Sequence, residues 1–146
     1  MNAYMDSSVI LRLILGEHDQ IQGWKDFDTL VTSDLTEVEC LRTLDRLRLR
    51  FSLPEREIVV RREALFLILD AAEVVEMSRS VLKRASDAFP VTLGTLDAIH
   101  LSTALLWQDE QGAGIAMATH DKMLGQAARA FGIKVMGLKA NRSIFK

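Results

Sequence analysis

The chain has 146 residues, 49% of them hydrophobic and 26% charged, with a net charge of −2. That length can bury a sizeable core, and that balance excludes disorder over any long stretch. The single cysteine, Cys40, excludes an intramolecular disulfide and a cysteine-rich zinc knuckle, and it fits a reducing cytosol. The opening MNAYMDSSVILRLIL lacks the basic start of a secretory leader, and Asp6 and Arg12 interrupt its apolar run. No segment approaches the roughly 18 apolar residues of a membrane span. A cytoplasmic protein with no membrane association is expected.

In chain order, a first strand is predicted at Ala3–Met5, followed by a helix through Val9–Leu15 that stops at Gly16. A second helix is expected within Asp19–Phe27 and a strand near Leu30–Thr32. From about Leu35 to Arg50 the spacing of Leu35, Val38, Leu41 and Leu44 predicts a helix with one apolar face. Pro54 opens the next helix, which runs through Ala64–Leu69 and closes at Asp70–Ala72. A short strand at Glu73–Glu76 and a helix over Ser78–Ala88, halted by Pro90, come next. Thr95–Trp107 is apolar nearly all round, as a central buried helix would be. A buried strand at Ile115–Ala118, a helix over His120–Phe131 capped by Gly132, and a last strand at Lys134–Met136 complete the series. Strands alternating with helices predict an α/β fold whose mostly parallel sheet has about four or five strands. Without a linker, repeat or low-complexity stretch, residues 1–146 are expected to form one domain.

Ligands of open parallel sheets bind beyond the carboxyl ends of the strands, so acids placed there are candidates for chemistry. Asp6 follows the first strand in MDSS, where an N-cap is the simpler role. Asp121, in ATHDK, holds the equivalent place after Ile115–Ala118, and there an acid is favoured by the helix dipole. Glu37 and Glu39 compete for one position after the second strand. They lie about 200° apart on a helix, so only one of them can face a given site. Local pattern leaves that choice open. Asp97 is the most informative, because it interrupts an otherwise apolar helix and needs a positive partner. Converging carboxylates repel one another unless a divalent cation neutralises them, and an all-oxygen set selects Mg²⁺ or Mn²⁺ over zinc.

Other features carry less. His100, one turn beyond Asp97, reads as a satisfied core histidine, His120 as an exposed neighbour of Asp121, and His18 as a loop residue. Cys40, in VECLRTL, reads as an inert buried thiol. Between Arg42 and Arg62 seven arginines face three acidic residues, a net +4 on an acidic chain. Such a stretch suits phosphate contact or an ordinary solvated helix face equally well. There is no GxxxxGK[ST] loop, no G-x-S-x-G elbow and no HExxH.

Four stretches, YMDSSVILRLI, TSDLTEVECLRTL, LGTLDAIHLSTAL and ATHDKMLGQAARAFGIKV, together resemble the PIN-domain ribonucleases of the VapC type, the toxins of toxin–antitoxin pairs. They keep the family's order over nearly the whole chain. The resemblance implies a three-layer α/β/α fold and places the family's acids on Asp6, Glu39, Asp97 and Asp121, thereby preferring Glu39 to Glu37. It also implies supporting hydroxyls at Ser7 and Thr119, with His120 in place of a common aromatic. A homodimer and a cognate antitoxin are implied in the same way.

The expected activity is therefore hydrolysis of RNA phosphodiesters. Mg²⁺ or Mn²⁺ would be held by Asp6, Asp97 and Asp121, with Glu39 as a ligand directly or through water, and Arg42 and Arg46 would contact the RNA backbone. Two rivals keep the fold: an RNA-processing nuclease without an antitoxin, and a catalytically silent partner in a repressor complex. A receiver-like phosphorylation domain fits poorly, because it does not explain an acid on the buried helix.

Overall fold

The computed structural model describes residues 1–18 and 20–138. Alternation along the first strand sets the architecture. In β1 (Asn2–Met5), Tyr4 enters one hydrophobic core and Met5 the other, because successive strand side chains point to opposite faces. A strand buried on both faces needs helices on both sides. One face is covered by α1 (Ser7–Leu15), α2 (Asp34–Phe51) and α3 (Glu55–Ala71), which contribute Val9, Ile10, Cys40, Leu44 and Leu65 to the core around Met5. The other face is covered by α5 (Thr95–Gln111) and α6 (Lys122–Ala130), with Leu101, Ala104, Leu124 and Ala127 around Tyr4. The short α4 (Arg79–Ala85) packs against α5.

The remaining strands are β2 (Thr29–Ser33), β3 (Glu73–Val75), β4 (Ile115–Ala118) and β5 (Val135–Met136). All pairings are parallel, in the order β3-β2-β1-β4-β5. Ala3 lies opposite Leu30 on one side and Ala116 on the other, so β1 is central. The chain builds outward from β1 to β3, then crosses the sheet through α4 and α5 to place β4 on β1's free side. The strand order reverses between β1 and β4, and a crevice opens there beyond the carboxyl ends of the strands.

The expected α/β/α layering and five parallel strands are present among the described residues. Differences are local. The helix expected within Asp19–Phe27 is a single 3-10 turn, Trp24–Asp26, entered through Gly23 in the left-handed conformation (φ 70°); Asp19 lies outside the described residues. Such a backbone at Gly23 cannot continue an α-helix. On α2 the expected apolar face is rotated: Val38 is 57% exposed, Thr36 and Cys40 are buried instead, and Leu44 is buried as expected. Thr36 faces inward, 2.8 Å from the Thr32 hydroxyl, while Cys40 and Leu44 enter the core on the same side. The helix expected to reach Ala88 ends at Ala85, where the Ser86 hydroxyl donates to the Leu82 carbonyl at 2.8 Å. Conversely, α5 runs on to Gln111 and is closed by left-handed Gly112. As expected, it is a central helix, buried continuously from Ala98 through Leu105. No helix among the described residues is long and apolar enough to cross a membrane.

Candidate active site

Asp6 stands where β1 ends and α1 begins. Its Oδ1 accepts from the Val9 amide at 3.2 Å, so the expected capping role is real. The same carboxylate is clasped by two hydroxyls: Ser8 donates to Oδ1 and Thr119 to Oδ2, each at 2.6 Å. Both hydroxyls also bind the loop after β4. Ser8 Oγ accepts from the His120 amide and Thr119 Oγ1 from the Asp121 amide, each at 3.0 Å. The two loops that meet at the β1–β4 crevice are thus stitched together around Asp6. Only 3% of Asp6 is exposed, and burial pushes its carboxyl above the ordinary range, against the lowering effect of the Ser8 and Thr119 hydrogen bonds.

Asp121 is itself the N-cap of α6, with Oδ1 accepting from Met123 and Leu124 at 2.8 and 3.1 Å. Thr119 holds Asp6 and the Asp121 amide. Asp97 is the third residue of α5, whose N-cap is Gly94, so it caps nothing. Its carboxyl is pushed up to about 6, first by burial and then by the negative charge of Asp121, with smaller contributions from Asp6 and Glu39 and an opposing one from His100. Glu39 projects from the second turn of α2, and its Oε1 meets His100 Nε2 at 2.6 Å.

Asp6, Glu39, Asp97 and Asp121, from four separate elements, line one cleft of about 390 Å³ together with Ser7 and His100. Among the described residues no lysine or arginine lines it. A larger hollow of about 510 Å³ lies beside it between α4 and α5, but Asp87 is its sole carboxylate among the described residues and Phe89, Val91 and Leu93 make its wall. The carboxylates converge in the smaller cleft. Among the described residues no three ligand-type side chains stand close enough to form a ready-made metal cage. Asp6 already uses both oxygens, whereas Asp121 Oδ2 and the Asp97 carboxylate have no hydrogen-bond donor among the described residues. Hard oxygen donors, an Asp97 carboxyl raised by burial and then by the charge of Asp121, and no neutralising cation side chain among the described residues fit a Mg²⁺-type ion that keeps part of its water shell.

Of the expected supporting residues, Thr119 holds Asp6, and Ser7 lines the cleft while Ser8 makes the hydrogen bond. Arg42 and Arg46 do not line the cleft. Arg42 pairs with Asp45 at 3.1 Å, and Arg46 donates to the Thr43 hydroxyl at 3.1 Å. Arg46 nevertheless lies two turns along α2 on the side that carries Glu39. His120 is half-buried rather than exposed, with Nδ1 on the Gly137 carbonyl at 2.7 Å.

The sequence matches the PIN domain family over residues 3–130. The chain belongs to the PIN-domain family. It is 27% identical over 136 residues to "Ribonuclease VapC47" of Mycobacterium tuberculosis (strain CDC 1551 / Oshkosh), an alignment spanning 88% of this chain and 91% of the relative. Among solved structures it resembles a toxin–antitoxin complex from Klebsiella pneumoniae, with a TM-score of 0.67 and 15% identity over 94% of this chain and 99% of that one. It also resembles VapBC2 from Rickettsia felis bound to a promoter DNA fragment, with a TM-score of 0.60 and 11% identity over 93% and 98%. At those identities the structural likeness concerns the fold.

Two features of this PIN domain's cleft were not expected from its sequence. Ser8, not Ser7, grips Asp6; the pair in MDSS gives no local reason to prefer either. Tyr4 joins the site from below, through His100, and only an aromatic hydroxyl at the end of β1 hints at it.

Proposed function

We propose that this PIN domain is a Mg²⁺-dependent ribonuclease, with Mn²⁺ able to substitute, that hydrolyses RNA phosphodiester bonds as the toxin of a type II toxin–antitoxin pair. The observation that carries this reading is the meeting of four carboxylates from four elements in one cleft at the β1–β4 switch point. The PIN family match and the likeness to a protein named as a ribonuclease support it. The likeness to toxin–antitoxin complexes supports a cognate antitoxin, and a homodimer belongs to the same proposal. The proposal treats residues 1–146 as one nuclease domain working in the cytoplasm.

Asp6, Asp97 and Asp121 would hold the ion, with Glu39 directly or through water. When bound, Mg²⁺ supplies charge for the phosphoryl oxygens and lowers the pKa of a coordinated water. The chain's own work is positional. Ser8 and Thr119 fix the Asp6 carboxylate, and the first turn of α6 fixes Asp121. Arg42 and Arg46, further along α2, would bind the RNA backbone and make affinity fall as salt rises.

The test is incubation of the purified protein with total RNA in Mg²⁺, Mn²⁺ or EDTA, beside Asp6→Asn. Cleavage should require the divalent ion and disappear in the variant, whose circular dichroism should match the wild type. Equal cleavage in EDTA, or full activity of Asp6→Asn, would refute the proposal.

A further inference from the structure

His100 is 2% exposed, yet it is wired at both ring nitrogens. On one side Tyr4 Oη lies 2.6 Å from Nδ1, and on the other Nε2 lies 2.6 Å from Glu39 Oε1. The chain Tyr4–His100–Glu39 joins β1, α5 and α2 beneath the cleft. Hydrogen accounting fixes its direction. A carboxylate oxygen only accepts, so Nε2 must carry a hydrogen. With the hydrogen on Nε2, the neutral ring leaves Nδ1 as the acceptor for the hydroxyl of the fully buried Tyr4. The Tyr4 and His100 rings meet edge to face, 5.8 Å apart at 68°, which further limits ring rotation.

We infer that His100, with its tautomer set by Tyr4, is a positioning residue that pins Oε1 of Glu39 and leaves Oε2 to serve the acidic cleft. An exposed glutamate on a helix has three rotatable side-chain bonds and spends most of its time elsewhere. Held by Nε2–H, this one stays turned toward the position that Asp6, Asp97 and Asp121 share. The arrangement parallels the way a partner beyond the ligands orients a metal-binding side chain, whose loss typically costs about 10–100-fold in affinity or activity.

The inference rests on the nuclease reading for its consequence in catalysis, so the test has a part that does not. In ¹⁵N NMR of the metal-free wild type, the ring shifts of His100 should show the hydrogen on Nε2. A hydrogen on Nδ1 alone would overturn the inference whether or not the protein cleaves RNA. The second part is a cycle of His100→Leu, Glu39→Gln and the double variant, read in Mn²⁺ affinity and in RNA cleavage rate. His100→Leu should lose about 10–100-fold, and in the Glu39→Gln background it should add no further loss. His100→Gln, which returns an N–H near the position of Nε2, should recover most of the loss. Losses that multiply in the double variant would overturn the inference, because His100 would then act other than through Glu39. If His100→Leu fails to fold, Tyr4→Phe keeps the ring and the core shape and removes the tautomer lock. It should weaken Mn²⁺ binding in the wild-type background and leave it unchanged in Glu39→Gln; an effect of equal size in both would overturn the inference. Failure to cleave RNA at all would count against the nuclease and leave the ring tautomer and the Mn²⁺ cycle to decide this point.

Discussion

Replacing Asp97 by Asn should make the metal-free protein more stable at neutral pH, although it removes a residue of the proposed active site. The Asp97 carboxyl sits at about 6 against an ordinary 3.8, mainly through burial and next through Asp121. Each unit is worth about 1.4 kcal/mol, so a fully buried group would cost about 3 kcal/mol when ionised. Asp97 is only half-buried, and solvent screening reduces that to about 1–2 kcal/mol. The first turn of α5 returns part of it, because an acid there gains about 0.3–1 kcal/mol from the helix dipole. A net gain of about 1 kcal/mol remains, or roughly 2–4 °C in Tm for a domain of this size.

The sign of the pH dependence follows from linkage. A carboxyl raised in the folded state holds its proton there longer than in the unfolded chain. Stability from this group is complete below about pH 4 and is lost as pH climbs through 6. In EDTA, Asp97→Asn should therefore melt above the wild type at pH 7.5 and level with it near pH 4. Adding Mn²⁺ should raise the wild type more than the variant and narrow or reverse the order. Thermal melts at the two pH values, with and without the ion, decide it. A variant that melts below the wild type at pH 7.5 in EDTA would refute the claim that repulsion and burial act together on Asp97.

Thr119→Val removes the donor to Asp6 and the acceptor for the Asp121 amide, so cleavage should fall about 10–100-fold and stability by about 1–3 kcal/mol, with Thr119→Ser close to wild type. Kinetics and urea melts of both variants check this. Cys40 is buried, and its thiol is pushed up to about 12 by burial and then by the charges of Glu39 and Asp6. A thiol reagent at pH 8 should label it only after denaturation; rapid labelling of the native protein would contradict that burial. Arg46→Ala should weaken RNA binding and reduce the slope of log affinity against log salt by about one, measured as a titration series. An unchanged slope would remove Arg46 from the backbone contacts.

Much of this molecule is legible in its sequence because its large features are periodic or sit at strand ends. The five strands and the placing of Asp6 and Asp121 follow from apolar runs that stop at capping residues. Periodicity is less informative where side chains compete. Val38 fits the apolar stripe of α2, but the helix turns Thr36 inward to the Thr32 hydroxyl instead and leaves Val38 exposed. The helix expected within Asp19–Phe27 fails at Gly23, whose left-handed backbone leaves room for one 3-10 turn. The link from Tyr4 through His100 to Glu39 spans 96 and then 61 positions. No local pattern encodes such a contact, because it exists only once α5 lies across the strand ends. Reading His100 as a satisfied core histidine was sound as far as it went, while its satisfying partner is one of the acids.

The four acids differ in what else they do. Asp6 and Asp121 start helices with the same carboxylates that line the cleft, whereas Asp97 and Glu39 start none. In a descendant released from its chemistry, folding alone would go on selecting the first pair, and the second pair would drift first. Loss of function in such a lineage would thus be written earliest at the two positions that contribute least to building the chain.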